Sequence, residues 1–305
     1  MPEAVGVDVG GTKLLAVAGD RELRVPTPRG GPAIADAIAQ VVEDLGGAER
    51  VGAGIAGLVD TSGVLRLGPN LPGVVEFPFR TELEARLGVP VTVDNDATCA
   101  MWAEHERGAA RGTTEAVLVT LGTGIGGGQV TGGRLQRGAN GFAGEPGHMV
   151  VDPNGPLCPC GRRGCWERFA SGSGLGRLGR DAAEAGRADR VVALAGGDPE
   201  AVRGEHVTAA AVEGDPGALK VMHDFAWWVA LGVANLVNVL DPAVVVIGGG
   251  LAEAGDLLIE PVRACYLDLV LAPGHRPPVR IVAAELGDRA GAVGAALLAS
   301  ADQPG

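Results

Sequence analysis

Two glycine-rich turns, each set between short apolar strands, constrain this chain more than any other feature. The first unit runs Val5-Gly-Val-Asp-Val9, breaks at Gly10-Gly11-Thr12 and resumes over Leu14 to Ala18. Apolar alternation on both sides of a polar, glycine-rich break predicts a β-hairpin. At Ala116 the theme recurs, with a strand over Ala116 to Leu121, a turn over Gly122 to Gly128 and a returning strand at Gln129-Val130. One such unit opening each half predicts a duplicated α/β architecture with a cleft between the halves. The punctuation from Gly108 to Thr114 marks the boundary.

Other elements follow from periodicity. Ile34 to Leu45 has helical spacing of apolar residues and is stopped by Gly46-Gly47. Val51 to Ile55 reads as a buried strand, and Val89 to Val93 as another that delivers Asp94-Asn95-Asp96 at its end, ahead of a helix from Ala97 to Arg107. Residues 138–176 show little regular pattern. A long apolar helix is predicted from Pro216 to Leu240, then a strand over Ala243 to Ile247, a third glycine turn at Gly248-Gly249-Gly250 with a helix after it, and a closing helix over Ala290 to Ala299.

The glycine turns limit the chemistry. Gly122, Gly124 and Gly127 satisfy G-x-G-x-x-G, but that fingerprint needs a helix directly after the turn, and Gln129-Val130 reads as strand. A P-loop is excluded, because the two lysines, Lys13 and Lys220, both lie outside G-x-x-x-x-G-K-[ST]. What remains is phosphate binding by hairpin turns, in which glycine lets main-chain N–H groups approach anionic oxygens and Thr12 and Thr123 add hydroxyl donors. One such turn alone is ordinary turn chemistry; three in one chain point to a nucleotide.

Charge narrows the partners. With 25 basic against 37 acidic side chains the chain carries −12, which repels a phosphate backbone and argues against nucleic acid. The sequence has no membrane-length apolar run and no signal-peptide pattern after Met1, so a cytoplasmic location is expected.

Two clusters carry reactive side chains. Asp96, at a strand end and helix start, is read either as an N-cap or as the base that takes a proton from an attacking hydroxyl, with Asn95 beside it to hold sugar hydroxyls. Cys158-Pro-Cys160-Gly-Arg-Arg-Gly-Cys165, ten residues after His148, offers three thiolates and an imidazole for a closed structural zinc site. The segment has too little apolar material to hold its own shape, so the metal would order the loop presenting Glu145, His148 and Glu167 as acceptors for vicinal hydroxyls. His148 would give one ring nitrogen to zinc and turn the other to substrate.

Together these residues resemble the ROK family (repressors, open reading frames and sugar kinases) of the actin–hexokinase superfamily, over essentially the whole chain. Asp8-Val-Gly-Gly-Thr-Lys13 and Leu121-Gly-Thr-Gly-Ile-Gly-Gly-Gly128 are similar to its two phosphate segments, Glu145-Pro-Gly-His148 to its sugar motif, and Cys158-x-Cys160-Gly-x-x-Gly-Cys165-x-Glu167 to its zinc signature. The resemblance implies a two-domain actin-like ATPase (ribonuclease H-like) fold with an interdomain cleft and a zinc-binding loop. Its domains would be residues 1–110 plus 288–305, and residues 111–287. It implies ATP-dependent phosphorylation of a hexose at the 6-hydroxyl, with glucose favoured and N-acetylmannosamine, N-acetylglucosamine, fructose or allose as alternatives, and polyphosphate as an alternative donor. By resemblance, Gly57, Asn70, Asn95, Asp96, Glu145, His148 and Glu167 contact the sugar, with Asp96 as base. Gly10, Gly11, Thr12, Lys13, Thr123 and Gly124 face the phosphates, Gly248, Gly249 and Gly250 the adenosine, and Asp8 the Mg²⁺ carried with ATP. The family continues Asn-Asp-Ala with Asn where this chain has Thr98, which bears on sugar preference. It also implies a homodimer or a dimer of dimers. A repressor of the family places a DNA-binding segment ahead of the first hairpin; here that hairpin starts at Val5, and the expectation is an enzyme.

Overall fold

The computed structural model describes residues 3–301. The chain forms two compact units: one holds the chain up to Leu118, Gly128–Gly144 and the chain from Glu285 onward, the other Val119–Gly127 and Glu145–Ala284.

The first unit is built on a five-stranded sheet. Its strands are β1 (Ala4–Val9), β2 (Lys13–Ala18), β3 (Arg21–Pro26), β4 (Arg50–Ile55) and β8 (Val91–Asn95), in the order β3-β2-β1-β4-β8. β1 to β3 form an antiparallel meander, whereas β4 and β8 run parallel to β1, with Val9 opposite Ile55 and Ile55 opposite Asn95. The ends of β1, β4 and β8 therefore lie side by side. Between β4 and β8 the chain makes a small antiparallel sheet of β5 (Leu58–Val59), β6 (Leu65–Leu67) and β7 (Val75–Phe77), which periodicity did not reveal.

Helices cover both faces of the sheet. On one, α1 (Gly31–Asp44) and α2 (Phe79–Leu87) bury Ile34, Ile38, Val41, Val42, Phe79 and Leu83 among Val5, Val7, Val9, Val51 and Ile55. α1 stops at Gly46 and Gly47, both with positive φ, as the sequence suggested. On the other face lie α3 (Asp96–Arg107) and α10 (Ala290–Ser300). α10 lies directly on the strands, because Gly6 and Gly52 present no side chain to it. A Cβ on Gly6 would stand 1.9 Å from Ala292 O, and one on Gly52 1.9 Å from Ala295 O. No residue larger than glycine fits at either place.

A second sheet repeats the design. β9 (Ala116–Leu121), β10 (Ile125–Thr131), β11 (Arg134–Leu135), β12 (Val244–Gly248) and β13 (Arg280–Ala283) are ordered β11-β10-β9-β12-β13, each strand taking the rank of its counterpart in the first sheet. β10 starts at Ile125, so Gly126 to Gly128 are strand, and the turn expected over Gly122–Gly128 is confined to its first three residues. A strand after the turn also rules out the dinucleotide fingerprint on structural grounds.

The second unit contains α4 (Glu167–Ala170), α5 (Gly172–Glu184), α6 (Asp189–Leu194), α7 (Gly204–Val212), α8 (Pro216–Leu240) and α9 (Asp256–Leu269). α8 spans the predicted range. Asp215 caps it by accepting the Ala218 N–H at 2.8 Å, Pro216 opens its first turn, and Asp241 ends it in a left-handed conformation. Trp166 is fully buried against this helix, and its indole N–H donates to Trp228 O at 2.7 Å. That bond ties the end of the cysteine loop to the longest helix of the unit.

Candidate active site

In the first unit the expected residues gather at the carboxyl ends of β1, β4 and β8. Asn95 ends β8 with extended backbone and is the N-cap of α3, its Oδ1 accepting the Thr98 N–H at 2.9 Å. Its Nδ2 donates to Gly57 O at 3.1 Å, which draws the loop after β4 onto the same spot. Asp96 is thus the first residue of the helix and not its cap. Its Oδ1 accepts the adjacent Ala97 N–H at 2.9 Å. Burial raises the Asp96 carboxyl above its ordinary value, and the Ala97 N–H works against that shift. Thr98 is buried and spends its N–H on the cap.

The carboxyl of Asp8, two residues before Gly10, is pushed up to about 7, first by burial and then by the nearby Asp96 carboxylate, with Lys13 opposing. The hairpin turn is closed by Gly10 N–H donating to Lys13 O at 3.0 Å. A Cβ on Gly11 would stand 2.6 Å from Asn70 O, so the phosphate-type turn and the Asn70 loop lie back to back. Lys13 Nζ lies 3.2 Å from Asp288, both half-exposed.

In the second unit Thr123 and Gly124 form a tight turn, Gly122 N–H donating to Gly124 O at 3.0 Å. A Cβ on Gly124 would stand 2.8 Å from Glu167 Oε2, so the turn abuts a residue expected on the sugar side. Gly249, with φ of 79°, lies against Leu121 at the entrance to that turn, where a Cβ would meet Leu121 O at 2.5 Å. The second and third glycine turns are therefore neighbours.

His148, Cys158, Cys160 and Cys165 offer ligand atoms that all lie within 4.8 Å of one another. Cys160 Sγ and Cys165 Sγ are 3.5 Å apart, and Cys158 Sγ and His148 Nδ1 3.9 Å. Tetrahedral zinc with bonds of ~2.3 Å to sulfur spaces its sulfurs about 3.8 Å apart, so the set fits zinc. The other ring nitrogen, Nε2, lies 3.9 Å from Glu145, and Glu167 accepts from Cys158 Sγ at 3.0 Å. Both glutamates are thus held against the cysteine cluster. Burial pushes the Cys158 and Cys165 thiols up, whereas a hydrogen bond from the Arg162 N–H holds Cys160 down. A dication would overcome the first effect, because a coordinated thiol ionises.

Three further polar groups escaped the sequence reading. Buried Asp94 pairs with Arg137 at 2.6 Å and accepts the Asn95 N–H at 2.8 Å. Buried Glu104 accepts N–H groups from Ala109, Glu285 and Leu286. Asp288 holds Lys13 and Arg24. Arg137, Leu286 and Lys13 are each distant in sequence from the carboxylate they reach, and local patterning carries no signal for such pairs.

Two sheets with one strand order, opened by matching glycine hairpins, define an actin-like ATPase fold, here with a Cys/His cluster suited to zinc. The chain belongs to the ROK family, whose profile matches residues 4–302. It is 40% identical to the glucokinase of Streptomyces coelicolor, with 98% of each chain covered, and 37% identical to an Escherichia coli N-acetylmannosamine kinase, covering 98% of this chain and 99% of that one. The crystal structure of a ROK family glucokinase from Streptomyces griseus, in complex with glucose and AMPPNP, superposes with a TM-score of 0.88 at 38% identity, covering 97% of this chain and 98% of that one. Among the described residues, no helix is long and apolar enough to cross a membrane.

Proposed function

We propose that this protein is an ATP-dependent hexokinase of the glucokinase type that phosphorylates the 6-hydroxyl of glucose in the cytoplasm. The carrying observation is the division of labour at the start of α3, where Asn95 caps the helix and Asp96 keeps its carboxylate for chemistry. Asp96 accepts the proton of the attacking hydroxyl. Its upward shift makes it a stronger base than an exposed aspartate. Gly57, Asn70, Asn95, Glu145, His148 and Glu167 hold the sugar. Backbone N–H groups of Gly11, Thr12 and Gly124, with the Thr12 and Thr123 hydroxyls and Lys13, take the phosphates beside Gly10, and Gly248, Gly249 and Gly250 border the adenosine. Mg²⁺ carried with ATP would neutralise phosphate charge, and Asp8 would orient it. Zinc on His148 and the three cysteines would be structural, its four positions filled by protein. Binding and orientation supply most of the rate. We expect a homodimer or a dimer of dimers.

Likeness to an N-acetylmannosamine kinase supports a second acceptor class. A coupled ADP-release screen with glucose, N-acetylmannosamine, N-acetylglucosamine, fructose and allose, each with ATP or polyphosphate, decides between them. Highest kcat/KM with glucose and ATP is expected; a higher value for an N-acetylated sugar would replace the proposed acceptor.

A further inference from the structure

The segment from Glu285 to Asp288, where the chain enters the first unit for the last time, is held at both ends by residues far away in sequence. At one end the fully buried carboxylate of Glu104, near the carboxyl end of α3, accepts three main-chain N–H groups. Oε1 takes Leu286 at 2.8 Å, and Oε2 takes Ala109 at 2.8 Å and Glu285 at 3.2 Å. A buried anion satisfied this way locks its donors in place, because leaving any of them unpaired costs the desolvation of that group. Gly108 permits the arrangement: a Cβ there would stand 2.1 Å from Glu104 Oε2.

At the other end, two residues on, Asp288 accepts from Arg24 at 2.7 Å and from Lys13 Nζ at 3.2 Å. Lys13 is the first residue of β2, directly after the glycine turn, and α3 begins at Asp96. One end of the strut therefore bonds Lys13, and the other is fixed to the helix that starts at Asp96.

We propose that Glu104 and Asp288 are positioning residues, and that the strut between them registers Lys13 against the helix that carries Asp96. The proposal rests on the reading of Lys13 as a phosphate ligand and Asp96 as the base. A pair between half-exposed partners adds only about 0–1 kcal/mol to stability. The Asp288 link therefore acts on where the ammonium sits more than on whether the protein folds. The Arg24 guanidinium holds the Asp288 carboxyl below its ordinary value, so the acceptor stays anionic through neutral pH. Asp8 feels Asp96, Lys13 and Asp288 together, which places all four charges in one electrostatic neighbourhood.

The test uses the full-length protein in a steady-state kinase assay with ATP and the best hexose from the acceptor screen, on Asp288→Asn, Glu104→Gln and the double variant. Asp288→Asn is expected to lower kcat/KM for ATP about tenfold, with KM for hexose within about twofold and little change in melting temperature. Glu104→Gln can offer one oxygen where the carboxylate offered two. It is expected to melt lower and to show the same ATP-selective loss, with Glu104→Asp restoring part of it. If the two residues act through one strut, the double variant loses about as much as the worse single variant, not the product of the two losses. Multiplied losses, or an Asp288→Asn enzyme with unchanged kcat/KM for ATP, would overturn the proposal. An inactive parent protein would instead reject the kinase reading itself.

Discussion

Asn95 accepts the Thr98 N–H at 2.9 Å, and that bond decides the fate of its neighbour Asp96. An aspartate at a helix start commonly satisfies the first-turn N–H groups itself; here the asparagine caps the helix, and the aspartate accepts the N–H of the next residue. Asp96→Asn should keep hexose affinity within about threefold while lowering kcat by ~10² or more, the usual worth of a positioned base. Equilibrium binding measured beside steady-state kinetics checks this, and retained turnover would remove Asp96 from the mechanism.

The same cap makes two roles of Asn95 separable. Asn95→Asp keeps a capping oxygen but loses the donor to Gly57 O, whereas Asn95→Ala loses both. Only the alanine variant should lose the ~1 kcal/mol typical of a cap, seen in urea unfolding. Both should raise KM for the sugar. Equal stability losses would show that the cap contributes nothing here.

The carboxyl of Asp8 gives a pH signature. Its folded value of about 7 lies above that of an unfolded aspartate, so the native state binds this proton more tightly. That contribution is complete below about pH 4 and is lost as pH rises through 7. Asp8→Asn, without Mg²⁺ or nucleotide, should therefore gain stability over the parent at pH 8 and lose the advantage at acid pH. Parallel denaturation curves at pH 5 and pH 8 test the sign, and a variant less stable than the parent at pH 8 would refute it.

Cys160→Ser removes one of four donors from the Cys/His set. Zinc content by atomic emission and melting temperature should fall together, and chelator treatment of the parent should reproduce the loss. Full metal content with altered kinetics alone would contradict a structural role.

At Gly52, where a Cβ would lie 1.9 Å from Ala295 O, alanine has to displace helix backbone. Gly52→Ala should cost about 1–3 kcal/mol, the range for overpacked cores, by urea unfolding. Gly19→Ala, whose Cβ would meet nothing within 4 Å, controls for backbone effects, although its φ of 61° carries a strain of its own.

Much of this site was legible because its chemistry is local. The hairpin turns show as glycine between apolar runs, the Cys/His set as close spacing, and Asp96 as a polar residue where strand gives way to helix. The limits of α8 were readable too, with Pro216 at one end and the break before the next apolar strand at the other. Illegible features depend on partners far along the chain. Arg137 reaches Asp94 across 43 positions, Leu286 reaches Glu104 across 182, and Lys13 reaches Asp288 across 275. β5 to β7 were missed because two- and three-residue strands give alternation no length in which to appear. The glycines of β10 misled for the opposite reason: a residue frequent in turns sits in a strand where close neighbours leave no room for a side chain, as Met101 does for Gly128.

The seating of α10 on Gly6 and Gly52 reaches into biosynthesis. β1 is synthesised well before α10, because α1 to α9 lie between them in the chain. Until α10 is made, the part of β1 and β4 that it covers stays open to solvent. Segments so far apart in sequence must meet before this surface is buried, which slows folding of the first unit.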